Sequence, residues 1–221
     1  MAPRAWRVAV ALGAPSFAGP FVARETRALH IVKYPHPTLR HRSKPLRRVD
    51  AELRRLVAEM FELMYAHKGV GLAANQVDLP YRLFIVNLAS EPAAKQDELV
   101  FINPVITSRK GNAQDDEGCL SFPDIFAPVR RPERCVVSAY NLRGDFVRYE
   151  LSGLAARAVQ HEYDHLDGVL FIDRLDEDAR LTVRPALAAL ELAFETERGR
   201  GAIPDDHQIS RRLAELESLQ A

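Results

Sequence analysis

Cysteine is scarce in this sequence, net charge is absent, and no apolar run is long. The 221 residues hold two cysteines, Cys119 and Cys135. That is too few for a disulfide-stapled scaffold. One bridge between them is conceivable, but a reducing compartment with Cys119 free as a ligand fits better. Thirty Lys and Arg balance thirty Asp and Glu, for a formal net charge of zero. A balanced chain lacks the basic field that gathers DNA or an anionic membrane. No stretch is apolar over the length needed to cross a bilayer. No internal repeat or low-complexity segment stands out. What remains is a soluble globule: one domain of ordinary size with extensions, long enough for a full core.

The stretch richest in chemistry is Gln160-His161-Glu162-Tyr163-Asp164-His165. Two His four residues apart on a helix lie on one face, so both imidazoles can address one ion. Glu162 between them sits beside the ion, placed to take a proton from a water and pass it on. Ser152 is the expected N-cap, with Leu154, Ala155, Ala158 and Val159 at helical spacing behind it. The His pair shares a face with these apolar residues, which should be buried, and buried His need partners.

Two ligands do not hold a catalytic ion well; three plus water is usual. Phe171 stands where a third His of the metzincin pattern would be, so that pattern fails. Glu191 or Glu195 could serve as a downstream third ligand. Cys119, in Asp116-Glu117-Gly118-Cys119-Leu120-Ser121, is an upstream candidate: Gly118 lets backbone come close, and a thiolate binds divalent ions strongly.

Three stretches together resemble a known family. Gly69-Val70-Gly71-Leu72-Ala73-Ala74-Asn75-Gln76, Glu117-Gly118-Cys119-Leu120-Ser121 and the His161–His165 stretch are similar, in order and approximate spacing, to the signature motifs of peptide deformylases. Lys33-Tyr34-Pro35 is also in style. The resemblance spans about residues 29 to 176. It implies Cys119, His161 and His165 as metal ligands and Glu162 as the acid–base. It implies that Gln76 and the Leu120 backbone N–H are donors to the developing oxyanion. The implied reaction removes formyl from an N-formylmethionyl nascent chain through a metal-activated water. Fe(II) is the implied ion, with Zn, Ni or Co as alternatives. Val70, Leu154 and Ala158 are the expected walls of a methionine pocket, with Gly71 also expected to bind substrate.

Residues 1–28 carry Arg4, Arg7, Arg24 and Arg27 against the single acid Glu25. They read as a disordered extension or an early start codon, with an organelle transit peptide as the alternative. The expected location is therefore the cytoplasm, or else a mitochondrion or plastid. A catalytic domain is expected over 29–176 and a helical extension over 177–221. From Ala179 onward six Arg face seven acids. Basic docking of such a tail on the ribosome is thus in doubt, although transient association is kept as an expectation.

Asp50 should cap a helix from Ala51 to about His67, with Leu53, Leu56, Val57, Met60, Phe61 and Met64 as its core stripe and Gly69 as its C′ residue. In the loop that follows, Ala73 and Ala74 should leave room for substrate. Strands are expected at Arg82–Leu88, Val100–Ile106, Val129–Tyr140 and Phe146–Leu151, the last two forming a hairpin around Asn141–Gly144. Strands grouped before a central metal-binding helix predict an α+β fold with mostly antiparallel sheet. Two more helices are expected, over Leu181–Phe194 and Ser210–Leu219, the first packing through Leu187, Leu190, Leu192 and Phe194. His30, His36, His41 and His207 read as surface residues.

Overall fold

The computed structural model describes the backbone of residues 7–10 and all of residues 29–219. Its helices begin with α1, Ala51–Ala66. Asp50 Oδ1 accepts the Leu53 N–H at 2.8 Å, satisfying one of the orphan donors of the first turn. All six residues of the expected stripe are buried. The helix does not stop on Gly69. Lys68 takes the left-handed conformation instead, at φ 55°. Gly69 is needed for space, since a Cβ there would lie 2.7 Å from the Leu120 side chain.

Behind α1 stands a six-stranded sheet. Its members are β1 (Arg7–Val10), β2 (Gly71–Ala73), β3 (Leu83–Val86), β4 (Leu99–Lys110), β7 (Arg134–Tyr140) and β8 (Phe146–Ser152), in the spatial order β1-β8-β7-β4-β3-β2. Every pairing is antiparallel. β1 lies inside the segment read as disordered; the rest of residues 1–28, and with it the transit-peptide alternative, lies outside the described residues. A separate two-stranded sheet pairs β5 (Ala113–Cys119) with β6 (Phe122–Arg131). The expected single strand Val129–Tyr140 is in fact the end of β6 and the whole of β7, broken at Pro132-Glu133, where proline removes a ladder donor.

Helix α2, Gly153–Leu166, follows β8 directly. Ser152 is extended and marks the boundary, but its side chain makes no capping hydrogen bond. Gly153, at φ 57°, makes the turn from strand to helix. The helix packs Ala155, Ala156, Val159 and Leu166 against Phe84, Phe101 and Tyr149 of the sheet. Leu154 was expected on this face; it is 57% exposed. Gly168, at φ 71°, ends the helix, and a Cβ there would meet the Arg40 carbonyl oxygen at 2.4 Å.

Helix α3 runs over Glu177–Gly199, longer than expected at both ends, and Asp176 caps it. Phe194 is buried, but Leu192 faces solvent. Helix α4, Asp206–Leu219, buries Ile209, Leu213 and Leu216. Arg212 pairs with Asp78, and Glu217 pairs with Lys44 at 2.6 Å. His36 is buried, contrary to expectation, because the C-terminal helices fold back over it: its ring meets Phe194 edge-on at 6.1 Å.

Gly168→Ala should cost at least about 2 kcal/mol, since it combines a left-handed backbone with a backbone clash at the end of α2. A urea midpoint unchanged from the parent protein would contradict that.

Candidate metal centre

Three side chains from two layers converge. The ligand atoms of Cys119, His161 and His165 all lie within 4.8 Å of one another. Cys119 closes β5, and its Sγ is 3.3 Å from His165 Nε2. The two imidazoles sit one turn apart on α2, ring centroids 5.0 Å apart. Glu191 is elsewhere: its Oε1 accepts the Tyr34 hydroxyl at 2.8 Å. Neither it nor the exposed Glu195 belongs to the cluster.

Glu117 organises the cluster. On a strand, residues two apart share a face, so Glu117 and Cys119 both point at α2. Glu117 Oε2 lies 3.0 Å from His161 Nδ1. A carboxylate only accepts, so Nδ1 carries the proton and Nε2 is the atom that could meet an ion. Arg131 donates to both Glu117 oxygens at 2.5 and 2.9 Å, and Arg157 donates to Oε1 at 2.6 Å. Arg131 also reaches Asp164 at 2.7 Å, which in turn accepts from Arg174. Burial alone would raise the Glu117 carboxyl. The hydrogen bonds from His161 and Arg131 outweigh it and hold the group at about 2.

The histidines behave as this field requires. Burial works against charge on His161, but hydrogen bonds to Cys119 and Glu117 outweigh it and push the ring up to about 10. That is a site with a strong demand for a cation, and a divalent ion can displace the proton. Burial, then the charge of His161, hold His165 well below its ordinary range, so its ring is neutral. A soft thiolate and two imidazoles make a donor set suited to a transition metal or zinc, so the residues present fit an ion.

Around the cluster lies a cleft of about 620 Å³. Val70, Gly71, Leu154 and Ala158 all line it, as do Gln76, Leu120 and Glu162. Ala73 and Ala74 do not: both are fully buried in the core. Gly71 lets β2 approach the acid–base candidate closely, since a Cβ there would sit 2.5 Å from Glu162 Oε1. Glu162 Oε2 is buried without a hydrogen-bond partner. Burial raises this carboxyl to about 7, beyond what the nearby His161 and Arg131 charges offset. Gln76 Oε1 accepts the Ala73 N–H at 2.9 Å, which fixes the amide with its Nε2 3.3 Å from both Cys119 Sγ and Ser121 Oγ.

The model of the polypeptide deformylase family matches residues 28–181. The chain belongs to the peptide deformylase family. A peptide deformylase of Rhodopirellula baltica is 43% identical over 194 residues, covering 86% of this chain and 94% of that one. A crystal structure of a plant peptide deformylase superposes with a TM-score of 0.78 at 40% identity, covering 84% of this chain and 99% of that one. The peptide deformylase of Plasmodium falciparum gives 0.74 at 40% identity, over 76% of this chain and 98% of that one. A chloroplastic peptide deformylase of tomato is 40% identical, and the match spans 83% of this chain and 65% of its length. This deformylase is thus a metal-dependent hydrolase that removes the formyl group from the N-terminal formylmethionine of newly made polypeptides.

Glu117, Arg131, Arg157, Asp164 and Arg174 were not singled out by sequence. The signal was there in part: Glu117 is two before Cys119, Arg157 four before His161 and Asp164 three after it. Glu117→Gln should bind metal about 10–100-fold more weakly, the range for loss of a partner behind a metal-bound histidine. Competition with a chelator measures it; unchanged affinity would show that the carboxylate does not hold His161 for the ion.

Proposed function

We propose that the Cys119, His161 and His165 side chains hold the catalytic ion and that Glu162 handles the protons. One observation carries this: a cysteine sulfur and two imidazoles converge at the edge of a cleft that also holds a buried carboxyl raised to about 7, beside the operating pH of a general acid–base. A divalent ion there would supply Lewis acidity, making a water more acidic and the formyl carbonyl more electrophilic.

The chain's own residues do the rest. Glu162 takes a proton from the attacking water as its oxygen bonds to the formyl carbon. Gln76 Nε2 and the Leu120 N–H face the oxygen on which negative charge collects. Glu162 then hands its proton to the departing amine, the C–N bond breaks, and formate and a free methionyl terminus leave. Val70, Leu154 and Ala158 form the methionine pocket, apolar walls against an apolar side chain, and Gly71 lies against the substrate beside them. The formyl hydrogen would sit against the loop from Gly69 to Gln76, where the extra methyl of an acetyl group should clash.

Fe(II) is the proposed ion, with Zn, Ni or Co able to occupy the same ligands. The catalytic unit is proposed to span residues 29–176, with 177–221 as an extension that buttresses it. Action in the cytoplasm, on chains at or near the ribosome, suits the substrate; the match to chloroplastic relatives keeps an organelle as the alternative. No helix among the described residues is long and apolar enough to cross a membrane.

Purified protein should release free amine from formyl-Met-Ala-Ser and far more slowly from acetyl-Met-Ala-Ser. Glu162→Gln should keep its metal and lose about 10²–10⁴-fold in turnover. Cleavage of an internal peptide bond with the formyl group intact would sink this reading. As for the ion, air should inactivate an iron-loaded sample, because thiolate and Fe(II) are both oxidisable, while nickel- or cobalt-loaded protein should survive. Equal activity of aerobic and anaerobic preparations, with zinc alone bound, would contradict iron dependence.

A further inference from the structure

Val32-Lys33-Tyr34 has no part in the chemistry above, yet it touches both proposed oxyanion donors. The Val32 N–H donates to the Gln76 carbonyl at 2.9 Å, and the Tyr34 N–H to the Ser121 carbonyl at 3.0 Å. Between them, Lys33 Nζ donates to the Leu120 carbonyl at 2.9 Å. Three consecutive residues therefore hold carbonyls on either side of the cleft. The two donors have different parents. Gln76 belongs to a 3-10 turn, Ala74–Val77, attached to the six-stranded sheet through β2. Leu120 sits in the turn of the separate β5–β6 hairpin. An oxyanion hole stabilises charge only if both donors are fixed relative to each other before the reaction. Something must set the spacing between sheet and hairpin at this point.

We propose that Val32-Lys33-Tyr34 is the clamp that sets it, and that Lys33 is a positioning residue for the Leu120 N–H. The proposal rests on the reading of Gln76 and Leu120 as oxyanion donors. An ammonium on the Leu120 carbonyl fixes the plane of the Leu120–Ser121 peptide, and the Tyr34 bond to the next carbonyl fixes its far side. Rotation about Leu120 is then restrained, and with it the direction of its own N–H. Lys33 is exposed and lines the cleft. A lysine at such a place ordinarily keeps its rotamer freedom, and ordering it costs entropy. Here the side chain is spent on one backbone carbonyl beside the reacting centre. Partial burial lowers the Lys33 amine, and the charge of Cys119 opposes that and favours the cation. The clamp is itself anchored: the Tyr34 ring stacks on Phe122 at 4.9 Å, and its hydroxyl donates to Glu191 of α3. Helix α3 thereby supports the oxyanion pocket at one remove.

The test is steady-state kinetics on full-length, metal-loaded protein with formyl-Met-Ala-Ser. Four variants are needed: Lys33→Met, Lys33→Arg, Gln76→Ala, and Lys33→Met combined with Gln76→Ala. Lys33→Met should lower kcat about 5–20-fold, as expected for a lost charged hydrogen bond that orients another group. KM should stay within about twofold, with a full metal equivalent and Tm within about 2 °C. Lys33→Arg, which keeps a cationic donor, should recover most of the rate. In the Gln76→Ala background the Lys33→Met effect should shrink to less than about twofold, because two residues serving one pocket are not additive. An unchanged kcat, a loss confined to KM, a loss that follows metal content or Tm, or full additivity would each overturn the clamp. Gln76→Ala with full kcat would overturn the oxyanion reading and the clamp together. An impaired Gln76→Ala beside an intact Lys33→Met would overturn the clamp alone.

Discussion

A carboxylate kept ionised inside the protein, Glu117, is the constraint on which the site depends. It stands on the β5–β6 hairpin, while the His161 ring it orients stands on α2. Desolvating a carboxylate costs several kcal/mol unless charged partners repay it. Here Arg131 and Arg157 do so, both nearly withdrawn from solvent. Their own burial is tolerable only because Glu117 and Asp164 are present. Such networks add little net stability compared with apolar packing, but removing one member strands the others. The network therefore acts as a register pin: hairpin and helix meet in one relative position, the position that brings Cys119 to the two imidazoles.

The same division of labour recurs around the cleft. The sheet and α2 supply the rigid parts, and residues brought from afar in sequence set how they meet. Arg40 supports the segment after α2 by pairing with Asp173. Asp78, at the left-handed end of the turn carrying Gln76, is held by Arg212 from α4. The C-terminal helices thus bear on the turn that presents a proposed oxyanion donor, although none of their residues lines the cleft.

How much of this could be read from sequence depended on whether the signal was local. The α1 stripe was legible because a period of 3.6 with apolar residues at each return has one explanation, and all six residues are buried. That His161 and His165 share a face was legible because four residues make about one helical turn. The resemblance of three short motifs pointed to Cys119, which spacing alone left level with Glu191 and Glu195. β5 was not legible: Ala113-Gln114-Asp115-Asp116-Glu117-Gly118-Cys119 is acidic and nearly without β-branched residues, and it is a strand only because β6 pairs with it. His36 and Leu192 were misplaced for a related reason, since neither residue's neighbours reveal where α3 folds back. Leu154 kept its helical position but faces the cleft, where an exposed apolar side chain suits a site that takes an apolar one.

Ligands from two separate elements are proposed to share one ion. X-ray absorption at the edge of the bound metal, on loaded full-length protein, reads that shell. One sulfur scatterer at about 2.3 Å, from Cys119, and two imidazole nitrogens at about 2.0–2.1 Å are expected for a zinc-like ion. A first shell of nitrogen and oxygen without sulfur would contradict this sharing, because the ion would then sit on α2 alone and the hairpin would have no part in holding it.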